Sequence, residues 1–422
     1  MQRCLRHACG LVFSWLLGPL PAHAISWIGS NGDAFNATSS WGGAVPSGAN
    51  STAEFGGNTG GVIIQLNHAV GTFYFNSSYT SGGFIVRNGG SLSLINGIVN
   101  DSAVSPEFTI RDGTVFFTGN APKLGNATFN VESAGLLKLF TANHPNGSAA
   151  RVNLTGGQIG MNNTTDGGSA SLGEMKGTSG RISLPDVALT VGALNTDATY
   201  SGTIDSLGAL TKVGTGTWTL TGANTYDGST LISAGTIKID NASGSAFGTG
   251  NVTIGIGGTL TGAGSFTGAL ENNGVYAPGN SPELALHSSF SQGATGILEM
   301  EIAGLTRGIG YDALNVSGAL TFGGSLQLSL IDGFDAASLT IGDTFNLFDW
   351  GSASGTFSFL DLPDLSAHGL TWDISALYTT GELGVSAIPE PSTYAMLAGA
   401  AAMVFAAWRG RRGRSGRAEI MR

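Results

Sequence analysis

Glu299 and Glu301 are carboxylates whose spacing suits shared chemistry. Two apart on a strand, they point to one face, where they could pass a proton or hold a cation; a solvated strand face is the plainer reading. Asp332 and Asp335 form a second close pair, but Ile331-Asp332-Gly333-Phe334-Asp335 reads as a turn between two strands. Four histidines of the body, His68, His144, His287 and His368, are scattered, without the short spacing of a zinc site. No serine stands in a Gly-x-Ser-x-Gly elbow leading into a helix. Gly257-Gly258-Thr259-Leu260 lacks the aspartate of calcium-binding glycine repeats. Asp349-Trp350 and Trp372-Asp373 pair an aromatic face with a carboxylate, the combination that holds a pyranose ring; Trp350 and Trp372 are therefore candidate glycan contacts, with closure of an apolar end as the favoured alternative. No catalytic, cofactor or metal residue is assigned.

The elements that must carry these residues are short strands. The chain has 68 glycines and only 11% charged residues, so it lacks the Ala, Leu, Glu and Lys runs that build helices. Those glycines have no three-residue period, which excludes collagen. Hydrophobic residues, 41% of the chain, recur in alternation, as in Ser91-Leu92-Ser93-Leu94, Thr217-Trp218-Thr219-Leu220 and Ser325-Leu326-Gln327-Leu328, which excludes a disordered polar chain. Between Leu210 and Leu270 the strand cores return about every fifteen to twenty residues, each followed by turn formers such as Gly222-Ala223-Asn224, Ala234-Gly235 and Gly257-Gly258. That interval fits one rung of a β-solenoid, with glycine or asparagine at corners that demand positive φ. The fold class is all-β: a right-handed parallel β-solenoid body with a short C-terminal transmembrane helix.

Both ends read as processing segments. Arg3 and Arg6 precede an apolar run, and Ala22-His23-Ala24 places small residues where a signal peptidase reads them, so cleavage is expected after Ala24. Both cysteines, Cys4 and Cys9, fall inside that removable segment, leaving no disulfide to support the exported body. At the other end Pro389-Glu390-Pro391 leads into an uncharged apolar run from Tyr394 to Trp408, followed by Arg409, Arg411, Arg412, Arg414 and Arg417. Basic residues just after an apolar span stay on the cytoplasmic side, and a span of about fifteen to seventeen residues is short for a permanent anchor. Without the two ends, ten basic residues face 26 acidic ones, a net charge of about −16. Such a surface disfavours nucleic acid and anionic polymers; neutral glycans, or acidic ones bridged by divalent cations, stay open.

The order of tripeptide, span and arginines resembles the PEP-CTERM sorting signal of Gram-negative bacteria. The resemblance implies recognition by an exosortase, transient anchoring in the inner membrane through the Arg409, Arg411, Arg412 and Arg414 cluster, and association with exopolysaccharide or biofilm. A second resemblance covers residues 209–240. Lys212-Val213-Gly214-Thr215-Gly216-Thr217, Gly222-Ala223-Asn224-Thr225-Tyr226 and Ala234-Gly235-Thr236 are similar to the autotransporter-associated β-strand repeat, which implies a surface-exposed β-helical passenger. Trp27, Trp41 and Phe55 resemble the opening of such proteins and are expected to cap the N-terminal end, a carbohydrate platform being the alternative.

The organisation expected is a signal peptide (1–24), an N-terminal β-rich region of degenerate solenoid or separate sandwich (25–206), the repeat region (207–295), a C-terminal β region or cap (296–386) and the sorting signal (387–422). The function expected is that of an exported structural or adhesive protein of the cell surface or extracellular matrix, without enzymatic activity. Its expected partners are signal peptidase, exosortase and extracellular polysaccharide. A carbohydrate-binding adhesin is the first alternative, and a β-helical polysaccharide lyase or hydrolase the second.

Overall fold

Alternation of apolar and polar residues gives each strand one face to bury, and a chain made only of short strands can bury those faces by stacking turn upon turn. The protein, described here as a computed structural model, does so. The structure describes residues 24–27, 29, 33–118, 122–140, 146–162, 168–279 and 282–388, with 403 and 405. The chain forms two compact units, the first running to Tyr276 and the second beginning at Ala277. Among the described residues from 24 to 388, helical structure is limited to short 3-10 turns such as Thr38–Trp41. Among the described residues no helix is long and apolar enough to cross a membrane. Of the expected C-terminal span from Tyr394 to Trp408 only Met403 and Phe405 are described, both helical and exposed, and the rest of it lies outside the described residues.

In the first unit, parallel pairing runs in three columns of strands. One column carries Ser91–Asn100, Thr114–Phe117 and Leu136–Phe140 in succession. A second carries Val187–Val191, Ala209–Lys212, Thr230–Ile239 and Val252–Gly262. The third carries Asn58–Ile64, Ser81–Val86, Glu107–Ile110 and Thr128–Glu132, and later Ala198–Tyr200, Thr217–Leu220 and the second half of Thr230–Ile239. Successive turns of chain add their strands to these columns. The described residues from 25 to 206 thus pair as a parallel solenoid and not as a sandwich. Leu92 lies beside Val115 and Trp218 beside Ile237, so a turn takes about 19 to 23 residues, slightly more than the strand spacing suggested.

Register decides what the core contains. Phe84, Phe108 and Phe129 are partners in successive strands, and their rings stack at 4.8 and 5.3 Å between centroids with interplanar angles of 18° and 21°. Neighbouring strands are spaced about 4.7–4.9 Å apart, so identical aromatic residues in register stack almost by construction. All three are fully buried. At the N-terminal end Trp27 meets Trp41 edge-on at 5.0 Å, and Phe55 packs on Trp41 at 5.6 Å. Trp41 donates its indole N–H to the carbonyl of Phe35. These rings are buried against one another, so they do not form an exposed carbohydrate platform.

The turn-forming glycines of the repeat region divide between two roles. Gly235 does adopt a positive φ of 66°. Gly222 and Gly258 do not, and they serve close approach: a Cβ at Gly222 would lie 1.9 Å from the Gly202 carbonyl oxygen, and one at Gly258 2.2 Å from that of Ile232. Ala234-Gly235 and Gly257-Gly258 also lie inside the continuous strands Thr230–Ile239 and Val252–Gly262, which bend there without a turn.

The second unit repeats the scheme with longer turns. Leu284–His287 pairs with Ala313–Phe322, which pairs with Phe348–Gly355; Ile297–Ile302 pairs with Ser325–Leu330, which pairs with Phe359–Asp361. All of these are parallel. A separate antiparallel sheet joins Thr344–Asn346, Glu382–Ala387 and Leu370–Asp373.

Replacing Phe108 by Ala removes the middle ring of the stack and leaves a cavity between two rings. The variant should lose about 3–5 kcal/mol of unfolding free energy in urea titration. A loss below about 1 kcal/mol would mean that the stacked rings carry little of the core.

Candidate functional site

Lys212 is the odd member of an apolar row. Its strand, Ala209–Lys212, alternates so that Leu210 and Lys212 face inward, and the lysine is 1% exposed. A buried ammonium needs acceptors, and the chain supplies backbone oxygens. The Lys212 Nζ donates to the carbonyls of Val213 at 2.8 Å, Gly214 at 3.0 Å and Ala234 at 3.3 Å. Ala234 belongs to the following turn, so the side chain clips two turns together. A Cβ at Gly235 would stand 2.9 Å from this Nζ, which explains the glycine there beyond its φ. Burial pulls the Lys212 ammonium down to about 8 from the ordinary 10.5, with the Asp197 charge opposing.

Asn224 makes the second clip. Its Oδ1 accepts the N–H of Ile204 at 2.8 Å in the turn before, and its Nδ2 donates to the carbonyl of Ala246 at 2.7 Å in the turn after. Tyr226 fills the adjoining core, its hydroxyl 2.6 Å from the Thr230 Oγ1. The Lys, Gly, Asn and Tyr of this repeat are therefore architectural: two polar links between turns, a glycine that makes room for one of them and an aromatic plug.

Asp312 is buried; its two carboxylate oxygens each accept a backbone N–H, from Glu283 and Glu301, at 2.7 Å. Burial pushes its carboxyl up to about 7 against those two bonds. Asp335 caps the short turn Ala336–Ser338, and Asp332 occupies a positive φ, so this pair forms the expected turn. Glu299 and Glu301 share the outward face of Ile297–Ile302. Asp349 pairs with Arg307 and accepts the Asn346 amide at 3.1 Å, and Asp373 accepts the Ser375 N–H at 2.9 Å. Trp350 sets its edge on Phe322 at 5.7 Å, and Trp372 donates its indole N–H to the Pro363 carbonyl. Both rings are half-buried, on different strands. His287 is buried against Phe290, and burial lowers its imidazole to about 4; His144 lies outside the described residues. Among the described residues no group of three or more His, Cys, Asp or Glu could hold a metal. Ala24 lies in the strand Ala24–Ser26, beside Thr52. Ala22, Pro389, Glu390, Pro391, Arg409, Arg411, Arg412 and Arg414 lie outside the described residues.

One concavity was not anticipated. On the outer face of the third column a groove of about 560 Å³ is lined by Asn153, Lys176, Asp197, Thr199, Ser201 and Thr219, among others. Register brings them together across four turns: Asn153 lies beside Lys176, Gly177 beside Tyr200, and Thr199 beside Thr219. The residue Thr178 is an insertion, since Leu154 faces Gly177 but Thr155 faces Ser179, and this bulge opens the strand face. Lys176 meets the buried Glu174 at 2.8 Å. Burial pushes the Glu174 carboxyl up, but hydrogen bonds from Lys176 and Thr196 and the charge of Arg151 bring it below its ordinary value. The site can offer hydroxyls, an amide, one ammonium and one carboxylate. It carries no aromatic ring.

Comparison with known proteins bears on the frame and on sorting. A family model described as the passenger-associated-transport-repeat matches residues 210–239, the segment with both clips. A second, the PEP-CTERM protein-sorting motif, matches residues 387–412. The chain is similar to the BmaC autotransporter adhesin of Brucella suis biovar 1 (strain 1330), with 29% identity over 189 residues. That alignment takes in 39% of this chain and spans only 5% of the adhesin's length. Together these matches support an exported surface protein.

The clips make two predictions. Between pH 8 and 10.5 the unfolded chain binds the Lys212 proton that the folded chain has released, so folding gains stability as pH rises through that window. Thermal melts should show wild type gaining on Lys212→Met from pH 8 to pH 10; a constant gap would contradict a strained ammonium. Asn224→Ala strands the Ile204 N–H and the Ala246 carbonyl, and should cost about 1–3 kcal/mol for each in urea unfolding. A cost near zero would remove the amide from the frame.

Proposed function

We propose that the protein is a non-catalytic surface scaffold of an extracellular polysaccharide layer, delivered by signal peptidase and exosortase. The observation that carries this reading is the order of parts: a parallel solenoid body followed directly by a sorting motif at 387–412. A solenoid offers a long surface for its mass, and the outward positions here are rich in Thr, Ser and Asn. Such a face is wetted easily and hydrogen-bonds hydroxylated polymers. Export would place signal peptidase at Ala22 and Ala24. The apolar span would hold the chain in the inner membrane for a time, with the arginine cluster on the cytoplasmic side, until exosortase acts at Pro389-Glu390-Pro391.

The non-catalytic part of the reading draws support from the carboxylates. Asp312, Asp335, Asp349 and Asp373 are each engaged by backbone or side-chain partners that the fold itself needs.

Mass spectrometry of the C-terminal peptide, from inner membrane, outer envelope and medium of the native organism, tests this. The expected chain ends near Pro389–Pro391, with added mass, in the envelope or medium. Substituting Ala at Pro389, Glu390 and Pro391 should hold the full chain in the inner membrane. A wild-type chain still ending at Arg422 in the inner membrane would overturn the reading.

A further inference from the structure

We infer that the groove on the third strand column binds a neutral, extended glycan lying along the stacking direction, a conclusion that rests on the polysaccharide reading above. Three features of the groove select the ligand. The first is geometry. Asn153, Lys176, Thr199 and Thr219 sit on four successive strands, so the groove crosses the strands and runs roughly 14 Å along the stack. One polar side chain per strand gives a regular series of contacts at the strand spacing. That interval is comparable to the advance of one sugar unit in an extended hexose polymer.

The second feature is charge. Lys176 already faces Glu174 at 2.8 Å, and Asp197 adds a carboxylate, so the groove has no net positive field for uronate, sulfate or phosphate groups. Asp197 accepts the Thr217 N–H through Oδ1 at 2.7 Å and keeps a second oxygen for a hydroxyl proton. The hydroxyls of Thr199, Ser201 and Thr219 each donate and accept, which matches the hydroxyls of a neutral sugar.

The third is the absence of an edge. An extended peptide would bind by adding a strand, but Ala198–Tyr200 is already paired on both sides, with Gly177 and with Thr217–Leu220. What remains open is a side-chain surface. The groove lacks an aromatic ring, so recognition is by hydrogen bonding and not by stacking, in contrast to what Trp350 or Trp372 would offer.

Calorimetry on the purified full chain tests this, with cellohexaose, maltohexaose and chitohexaose as neutral probes, oligogalacturonate as an acidic one and the host exopolysaccharide alongside. Three proteins are compared: wild type, the double variant Thr199→Val with Thr219→Val, and the double variant Trp350→Ala with Trp372→Ala. Valine keeps the shape and strand preference of threonine, and far-ultraviolet circular dichroism checks that each variant folds. At least one neutral hexamer should bind wild type saturably, weaken at least tenfold in the threonine variant and keep its affinity in the tryptophan variant. Glycan binding that survives the threonine variant would overturn the groove while leaving the polysaccharide reading in place. Binding only of oligogalacturonate, weakened by salt, would overturn the neutral assignment. If neither the hexamers nor the exopolysaccharide bind, the groove and the polysaccharide reading fail together.

Discussion

Every turn of this chain must satisfy its backbone and its inward side chains with the turns before and after it. That constraint of register governs the rest. In the first half of the solenoid it is met by like residues in line, and Phe84, Phe108 and Phe129 stack because their strands do. In the repeat it is met by polar links. Lys212 takes a carbonyl of the next turn, and Asn224 takes one group from each neighbour. A slip of one residue would turn the stacked rings outward, and a buried amide or ammonium left without its partner is costly as well. The repeat therefore fixes register with polar links in turns that lie beyond the phenylalanine ladder.

The parts of the fold that depend on local pattern were legible in the sequence. Strands such as Ser91–Asn100, Thr217–Leu220 and Ser325–Leu330 follow from alternation alone, and the aromatic cluster follows from Trp27, Trp41 and Phe55. Parts that depend on turn length were not. Phe84 and Phe108 are farther apart in the chain than Trp218 and Ile237, so no single period links the early turns to the repeat. Gly222 and Gly258 look like corner residues, but their role is close approach, which only the neighbouring turn reveals. The groove was invisible for the same reason: Asn153, Lys176, Thr199 and Thr219 become neighbours only once register is known. Its one local trace is the extra residue at Thr178, which without the partner strand reads as any other threonine.

The same frame separates stability from function. Buried polar residues of the repeat, which draw attention in the sequence, are spent on joining turns. The outward residues, which draw none, are those that solvent and any extracellular polymer meet.

Residue-resolved amide hydrogen exchange on the purified protein tests the turn-by-turn frame most directly. Amides in the strand columns from Phe84 through Phe108, Val152, Leu189 and Trp218 to Ile254 should exchange slowly and with similar protection, including the Ile204 amide held by the Asn224 side chain. Fast exchange at Ile204, or protection that ends before residue 206 and resumes as a separate block, would contradict a continuous parallel solenoid in the first unit.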